Sequence, residues 1–167
     1  KENNVYSEDM EHDACGVGII ASTEGKKSRK VVEYGIEALK AVWHRGAVDA
    51  DGKTGDGAGI HVEIPKDFFI EKIEVTGHTH DNSEICVGMI FLPRNDYAAQ
   101  ESCKTIVESE LTKNDFSIYG WRQVPVNPKV LGEKAFQTMP EIIQVLFKPY
   151  NQELINKDLE RKIYETR

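Results

Sequence analysis

Short apolar runs alternate along this chain with segments in which apolar residues recur every three or four positions, and that alternation limits the folds available to it. The apolar runs predict β-strands at residues 15–22, 59–64, 84–93, 116–126 and 141–149. The run at 84–93 is almost continuously apolar, which predicts a strand that is covered on both faces.

The segments with three- and four-residue periodicity predict helices. The first helix begins after a cap at Ser28 and ends by Gly46, because glycine commonly follows a helix end. Its apolar stripe comprises Val31, Val32, Gly35, Ile36, Leu39, Val42 and Trp43. Further helices are predicted at 65–73, from Asn95 or Asp96 to Lys113, and at 133–140. Residues 153–167 predict a final helix or a helix that runs into a strand. The apolar face of the long helix comprises Ala99, Cys103, Ile106, Val107 and Leu111.

Strands that alternate with helices must pack against them, and two architectures satisfy this requirement. The default is a parallel, doubly wound sheet with helices on both faces. Helices packed on two antiparallel sheets fit the same pattern, so the pattern leaves both arrangements open.

The composition is typical of one soluble globular domain, with 167 residues of which 40% are hydrophobic and 29% charged. The formal net charge of −7 argues against nucleic acid or an anionic membrane as a main partner, because no basic surface would attract them. No apolar stretch is long enough to predict a membrane span.

The chain contains three cysteines, Cys15, Cys86 and Cys103. An odd count without Cys-x-x-Cys spacing argues against a disulfide framework and against a zinc site. Free thiols fit a reducing compartment, so we predict a cytoplasmic protein, or a plastid one if a transit segment has been removed. Cys86 lies in an apolar run and Cys103 on an apolar helix face, so both are predicted to be inert core thiols.

The segment "HRGAVDADGKTGDGAG", residues 44–59, contains five glycines and three aspartates. Its "TGDGAG" portion could cradle phosphate, but P-loops and dinucleotide sites need a following helix, and an apolar strand pattern follows here. An EF-hand loop is excluded because Lys53, Thr54 and Ile60 occupy positions that calcium ligands and glycine would need. A tight structural loop is favoured, and a phosphate-binding module that requires a helix after Gly59 stays as an alternative.

The segment "GHTHD" places His78 and His80 next to Asp81. Two imidazoles and a carboxylate could hold a metal ion, but nothing else in the chain completes a ligand set at a recognisable spacing. We therefore favour a solvated loop and predict no metal site.

Cys15 lies where a polar, acidic and aperiodic segment, residues 1–14, meets the first predicted strand. A cysteine in this position is more often a core residue than a nucleophile. If the preceding segment were removed, however, Cys15 would carry a free α-amine, a group whose unperturbed pKa is near 7.7–8.0, and this amine could accept the thiol proton. Such a nucleophile needs no histidine base, and the sequence shows no convincing Cys–His pair.

The stretches "EHDACGVGII", "HRGAVDADGKTGDGAGI", "YGWRQVPVNPKVLGEKA", "MPEIIQVLF" and "DLERKIYETR" together resemble the N-terminal class II glutamine amidotransferase domain of the glutamate synthase large subunit. The resemblance covers almost all of the chain after residue 6. It implies an α+β, N-terminal nucleophile hydrolase fold, with two antiparallel sheets between helical layers, of which the chain is expected to hold only the first part. This fold replaces the doubly wound default.

By this resemblance, residues 1–14 are a leader and 15–167 the N-terminal portion of the amidotransferase domain. Cys15 is the implied nucleophile, and Arg45, Gly46 and Asp56 are implied to support the site. The family's Asn-Gly oxyanion motif and its carboxylate-binding arginine are not found, so the substrate-binding residues are expected beyond Arg167 and the fragment alone is expected to be inactive.

The resemblance also implies the partners and cofactors of the parent enzyme. They are glutamine, the rest of a glutamate synthase chain, and a small subunit or ferredoxin as electron source. No cofactor is expected in this segment, whereas FMN and an iron–sulfur cluster are expected elsewhere in the enzyme. The alternative is a non-catalytic binding module of the same fold, in which Cys15 is a core residue and the leader is retained.

Overall fold

Residues 16–42, 46, 48–55 and 57–167 are described by the structure, a computed structural model. The helices in these ranges are α1 (Arg29–Ala41), α2 (Lys66–Val75), α3 (Tyr97–Lys113), α4 (Glu133–Thr138) and α5 (Asn156–Thr166), with a short 3-10 helix at Pro128–Val130. The strands are β1 (Cys86–Leu92), β2 (Phe116–Gln123) and β3 (Glu141–Pro149). None of these helices has the length and apolar character needed to cross a membrane. The chain divides into two units, residues 1–62 and 63–167.

The sheet of the second unit has three strands, and both of its strand pairs are antiparallel. Its strand order is β1-β3-β2, so β3 lies in the middle and pairs with both neighbours. Cys86 is opposite Phe147 in one ladder, and Trp121 is opposite Val145 in the other. The predicted α+β class is confirmed, and a parallel sheet is excluded for the described strands.

Helix α1, in the first unit, begins where its cap predicts. The Ser28 hydroxyl accepts a hydrogen bond from the Lys30 N–H at 3.2 Å and so satisfies one of the free donors of the first turn. The half-buried positions of α1 are Val31, Val32, Gly35, Ile36 and Leu39. This is the predicted stripe without Val42, which is 41% exposed, and Trp43, which lies outside the described residues.

Two predicted strands are wrong. Residues 16–22 and 59–64 belong to no β-ladder in the described part of the chain. Val17 is 96% exposed and Ile60 is 46% exposed, although both lie in strand-like apolar patterns. A period of two shows that a segment could cover a core on one face, but a strand also needs a neighbour for its backbone hydrogen bonds.

One face of the sheet is covered by α3 and α5. Buried side chains from three strands and both helices form this first core, namely Cys86, Leu111, Phe116, Val145, Phe147 and Leu159. Gly88 in β1 permits the close approach of β3, because a Cβ there would lie 2.7 Å from a methyl group of Val145. The first core therefore forms around the β3 side chains on this face, and helices α3 and α5 pack against it.

The opposite face of the sheet carries α2. This second core contains Phe69, Ile73, Ile85, Tyr119 and Leu146. A β-bulge between Ile118 and Gly120 turns the buried Tyr119 side chain towards α2. Gly120 has a φ of +147°, and a Cβ at this position would meet the Thr76 methyl group at 2.9 Å, so the bulge requires glycine.

Helix α2 covers only part of this face, and two predictions about burial are wrong. Strand β1 is not covered on both faces, because Met89 is 48% exposed and Phe91 is 63% exposed. Ile106 of α3 was predicted to face the core but is 62% exposed. It lies about 100° around the helix from Val107, which packs against the first core.

A polar cluster ties the loop between α2 and β1 to the end of the sheet. The Asp81 carboxylate accepts hydrogen bonds from the Ser83 hydroxyl at 2.5 Å, from the Tyr119 hydroxyl at 3.3 Å and from the Gln152 amide at 3.2 Å. It also forms an ion pair with Lys148 of β3. These contacts, the Lys148 hydrogen bond above all, hold the pKa of Asp81 well below its usual range.

We expect Leu146→Ala to lower the free energy of unfolding by about 2–5 kcal/mol, because it leaves a cavity beneath α2. Leu146 is 0% exposed, whereas Met89, on the same face of the sheet, is 48% exposed. Met89→Ala is therefore the control and is expected to change the stability by less than about 1 kcal/mol. Urea denaturation of both variants provides the measurement. Equal losses would mean that α2 does not cover Leu146.

We expect Asp81→Asn to lower the free energy of unfolding at neutral pH by about 1 kcal/mol, a value reduced for the partial exposure of the carboxylate. A carboxylate with a depressed folded-state pKa stabilises the fold above its unfolded pKa, near 3.9, and loses this effect as the pH falls further. The difference between wild type and variant should therefore shrink below about pH 4.

Urea denaturation at several pH values measures this effect. Glu84→Gln is the control, since Glu84 forms an ion pair with Lys66 in which both side chains are at least 40% exposed. It should change stability by less than about 0.5 kcal/mol at neutral pH. A loss for Asp81→Asn that stayed constant from pH 7 to pH 3 would show that the carboxylate charge is not its origin.

Candidate functional site

The structure leaves most of the predicted site untested. Cys15, Arg45 and Asp56 lie outside the described residues. Gly46 is described and is an exposed residue at a bend. The assignment of a nucleophile and supporting residues to these four positions therefore stays a prediction.

The segment that follows Cys15 is open. A Cβ at Gly16 or Gly18 would meet no other atom within 4 Å. Val17 and Ile19 are 96% and 91% exposed. None of the described residues packs over Gly16 and Gly18, and the Val17 and Ile19 side chains are exposed.

The glycine-rich segment contains a closed hairpin at residues 48–55. Val48 and Gly55 form an antiparallel bridge, and the Asp49 N–H donates to the Thr54 carbonyl oxygen at 2.7 Å. Gly52, at the turn, has a φ of +68°, a conformation that glycine adopts without strain. A tight structural loop was favoured for residues 54–59, and it is confirmed for Thr54 and Gly55, which belong to this hairpin.

The Asp51 side chain holds this hairpin closed. One carboxylate oxygen accepts the backbone N–H groups of Lys53 at 2.9 Å and Thr54 at 2.7 Å. The other accepts the Thr54 hydroxyl proton at 2.5 Å. The failed EF-hand pattern gave no indication of this role. The sequence signal for this role of Asp51 is the Asp51-Gly52 pair with Thr54 three residues after Asp51, a pattern typical of a turn capped by a side chain.

The structure does not meet the requirement of the phosphate-binding alternative. It needs a helix that begins after Gly59, but residues 57–64 are not helical and α2 starts only at Lys66. No helix N-terminus therefore stands directly behind the glycines to bind an anion.

Two of the three cysteines are poor candidates for a nucleophile. Cys86 is 3% exposed in the first core, and its burial raises the pKa of its thiol to about 12. At neutral pH almost no thiolate exists at that position. Cys103 is half-buried on α3. The prediction of an inert core thiol is confirmed for Cys86, and Cys103 is less buried than predicted.

The histidines of the "GHTHD" segment have protein partners. His78 Nδ1 lies 3.1 Å from the Thr76 hydroxyl, and His80 Nε2 lies 3.0 Å from the Ser83 carbonyl oxygen. The described residues contain no group of three or more His, Cys, Asp or Glu side chains placed to hold a metal ion. The sequence suggested a solvated loop here and missed the role of Asp81, because its partners Tyr119, Lys148 and Gln152 are distant along the chain.

Comparison with known proteins identifies the family. The family model of class-II glutamine amidotransferases matches residues 15–167. The chain is 59% identical over 143 residues to the NADPH glutamate synthase large chain of Azospirillum brasilense, which covers 86% of this chain and 9% of that protein. It is 38% identical over 167 residues to the chloroplastic ferredoxin-dependent glutamate synthase 2 of Arabidopsis thaliana, covering 98% of this chain and 10% of that protein.

A third relative is the NADH glutamate synthase of Saccharomyces cerevisiae, 36% identical over 157 residues, or 91% of this chain and 7% of that protein. The chain therefore spans no more than 10% of the length of these relatives. The family match covers all residues from Cys15 onwards. The chain therefore belongs to the class-II glutamine amidotransferases.

Proposed function

We propose that this chain carries the nucleophile, Cys15, and supporting residues of the glutamine-hydrolysing site of a glutamate synthase. The site would release ammonia from the side-chain amide of glutamine. The observation that carries the proposal is that the family match begins at Cys15 itself. The preceding residues, 1–14, are in this proposal a leader that is removed before the enzyme acts.

The environments of the other cysteines support the choice of Cys15. A nucleophilic thiol must ionise near neutral pH and must be reachable by the substrate. Cys86 meets neither requirement, because it is 3% exposed and the pKa of its thiol is raised to about 12. Cys103 is half-buried in the middle of a regular helix, α3, and not at a chain start.

The chemistry follows from the position of Cys15 at a new chain start. Once the Ala14–Cys15 peptide bond is cut, the free α-amine takes the thiol proton, through water. The sulfur attacks the amide carbon of glutamine, and the proton passes to the departing nitrogen, which leaves as ammonia. A thioester to Cys15 remains. Water then attacks this thioester, which releases glutamate and returns the proton to the sulfur.

The supporting residues are proposed with their roles. Arg45 and Gly46 belong to the loop beside the nucleophile, and Asp56 with its neighbouring glycines shapes the same region. The wider architecture is the N-terminal nucleophile hydrolase fold, in which the three-stranded sheet of residues 86–149 is part of one of two stacked antiparallel sheets. The exposed Met89 and Phe91 side chains support this, because they leave apolar sheet surface uncovered by α2.

The rest of the enzyme would use the ammonia. In this proposal another part of the protein transfers it to 2-oxoglutarate and forms a second glutamate. That part would hold FMN and an iron–sulfur cluster, and electrons would come from a nicotinamide-dependent small subunit or from ferredoxin. The names of the relatives include NADPH and ferredoxin, and one of these relatives is chloroplastic. We propose the cytoplasm as the location of this protein, with a plastid as the alternative.

We expect a glutamine-mimicking electrophile to label Cys15 in the protein of natural length, and only in molecules that begin at Cys15. Cys15→Ser should lower glutamine hydrolysis by about three orders of magnitude or more, because it removes the thiol that forms the thioester. Peptide mass spectrometry locates the label, and intact mass gives the chain start.

Cys103→Ser is the matched control and should keep both labelling and turnover. Cys86 should stay unlabelled in the native protein and react only after denaturation, as its raised pKa of about 12 requires. Labelling at Cys86 or Cys103 would overturn the assignment. A natural-length protein that retains residues 1–14 and does not react would favour the non-catalytic module instead.

A further inference from the structure

The hairpin of residues 48–55 joins the two stretches in which the site-supporting residues are proposed. Gly46 lies two residues before Val48, and Gly57 lies two residues after Gly55. Because Val48 and Gly55 are bridged in antiparallel pairing, both stretches leave the hairpin at its open end. The closure of the hairpin therefore limits how far apart Gly46 and Gly57 can move.

The backbone alone closes this hairpin weakly. The Val48–Gly55 pair is an isolated bridge and not part of a ladder. A short two-stranded hairpin without further strands is marginally stable in water. Additional constraints must come from side chains, and the Asp51 carboxylate supplies them through three hydrogen bonds of 2.5–2.9 Å.

Thr54 couples the turn to the stem of the hairpin. Its hydroxyl and its N–H both donate to Asp51, while its carbonyl oxygen accepts from the Asp49 N–H at 2.7 Å. The Thr54 side chain is half-buried, whereas Asp51 is exposed. Thr54 thus links the Asp51 carboxylate at the turn to the strand pairing next to the Val48–Gly55 bridge.

We propose that Asp51 and Thr54 are positioning residues of the glutaminase site. They do not touch the substrate, but they keep the hairpin closed and so hold the Arg45–Gly46 and Asp56–Gly57 stretches together. This proposal rests on the function proposed above. Its consequence for rate is large compared with its consequence for stability, since a misplacement of about 1 Å in a site can cost up to about 100-fold in rate.

The experiment compares Thr54→Val with Thr54→Ser in the protein of natural length. Valine keeps the β-branched shape and loses the hydroxyl, whereas serine keeps the hydroxyl. We expect kcat/KM for glutamine hydrolysis to fall about tenfold in Thr54→Val and to stay within about twofold of wild type in Thr54→Ser. Asp51→Ala removes all three hydrogen bonds and should fall at least as far as Thr54→Val.

The control for the chemical change is Thr23→Val, in the exposed turn that precedes α1. It should leave kcat/KM unchanged. The second readout is the labelling rate of Cys15 with two reagents, a glutamine-mimicking electrophile and iodoacetamide. A positioning role predicts that Thr54→Val slows the glutamine mimic about tenfold and leaves iodoacetamide labelling within about twofold, because the thiol itself is intact.

The outcomes separate the two proposals. If wild type hydrolyses glutamine and Thr54→Val does so equally well, the positioning role is wrong and the proposed function stands. Equal slowing of both reagents, or a failure of serine to restore turnover, would also overturn the positioning role, since it would indicate general disruption of the unit. If wild type neither hydrolyses glutamine nor reacts at Cys15, the proposed function fails and this proposal fails with it.

Discussion

The second unit depends on the burial of one strand from both sides. Val145 and Leu146, consecutive residues of β3, are 1% and 0% exposed and point to opposite faces of the sheet. Val145 supports the core beneath α3 and α5, and Leu146 supports the core beneath α2. Because β3 also pairs with β1 and β2, it is the central strand of the sheet. Helices α2, α3 and α5 therefore all pack against cores that contain β3 side chains.

The close packing around β3 explains why two glycines have fixed positions. Gly88 lets β1 lie against the Val145 side chain, and Gly120 lets the bulged β2 pass beneath Thr76. The bulge in turn moves Tyr119 into the second core, where its hydroxyl reaches the Asp81 carboxylate. A local backbone irregularity therefore connects the apolar core to the polar cluster that fixes the loop before β1.

Local sequence patterns predicted the elements whose determinants are local. Ser28 and Asp96 cap the helices that they were expected to cap, and the Ser28 and Asp96 oxygens accept first-turn N–H groups. The three ladder-forming strands were also predicted. The pattern failed at residues 16–22 and 59–64, because a strand exists only where another strand accepts its hydrogen bonds, and alternation does not reveal a partner.

The candidate site shows the same division between local and long-range information. The closed hairpin depends on neighbouring residues, and a turn at Asp51-Gly52 could be expected from the sequence. The three hydrogen bonds that the Asp51 carboxylate accepts could not be predicted. The Asp81 cluster could not be predicted at all, because Lys148 and Gln152 lie more than 60 residues further along the chain. Cys15 was indicated without knowledge of the fold, by the polar segment before it, the lack of a convincing Cys–His pair and the family-like motifs.

The contrast between the cysteines follows from what each thiol needs in order to ionise. Cys86 has apolar neighbours, the Glu84 carboxylate nearby disfavours a second negative charge, and both effects keep its proton in place. A cysteine at a chain start carries its own base at a distance fixed by covalent bonds, so its reactivity depends little on the surrounding fold. What the fold must then supply is the placement of the substrate against that thiol. Under the positioning proposal, the closed loop 48–55 would contribute to this placement without any chemistry of its own.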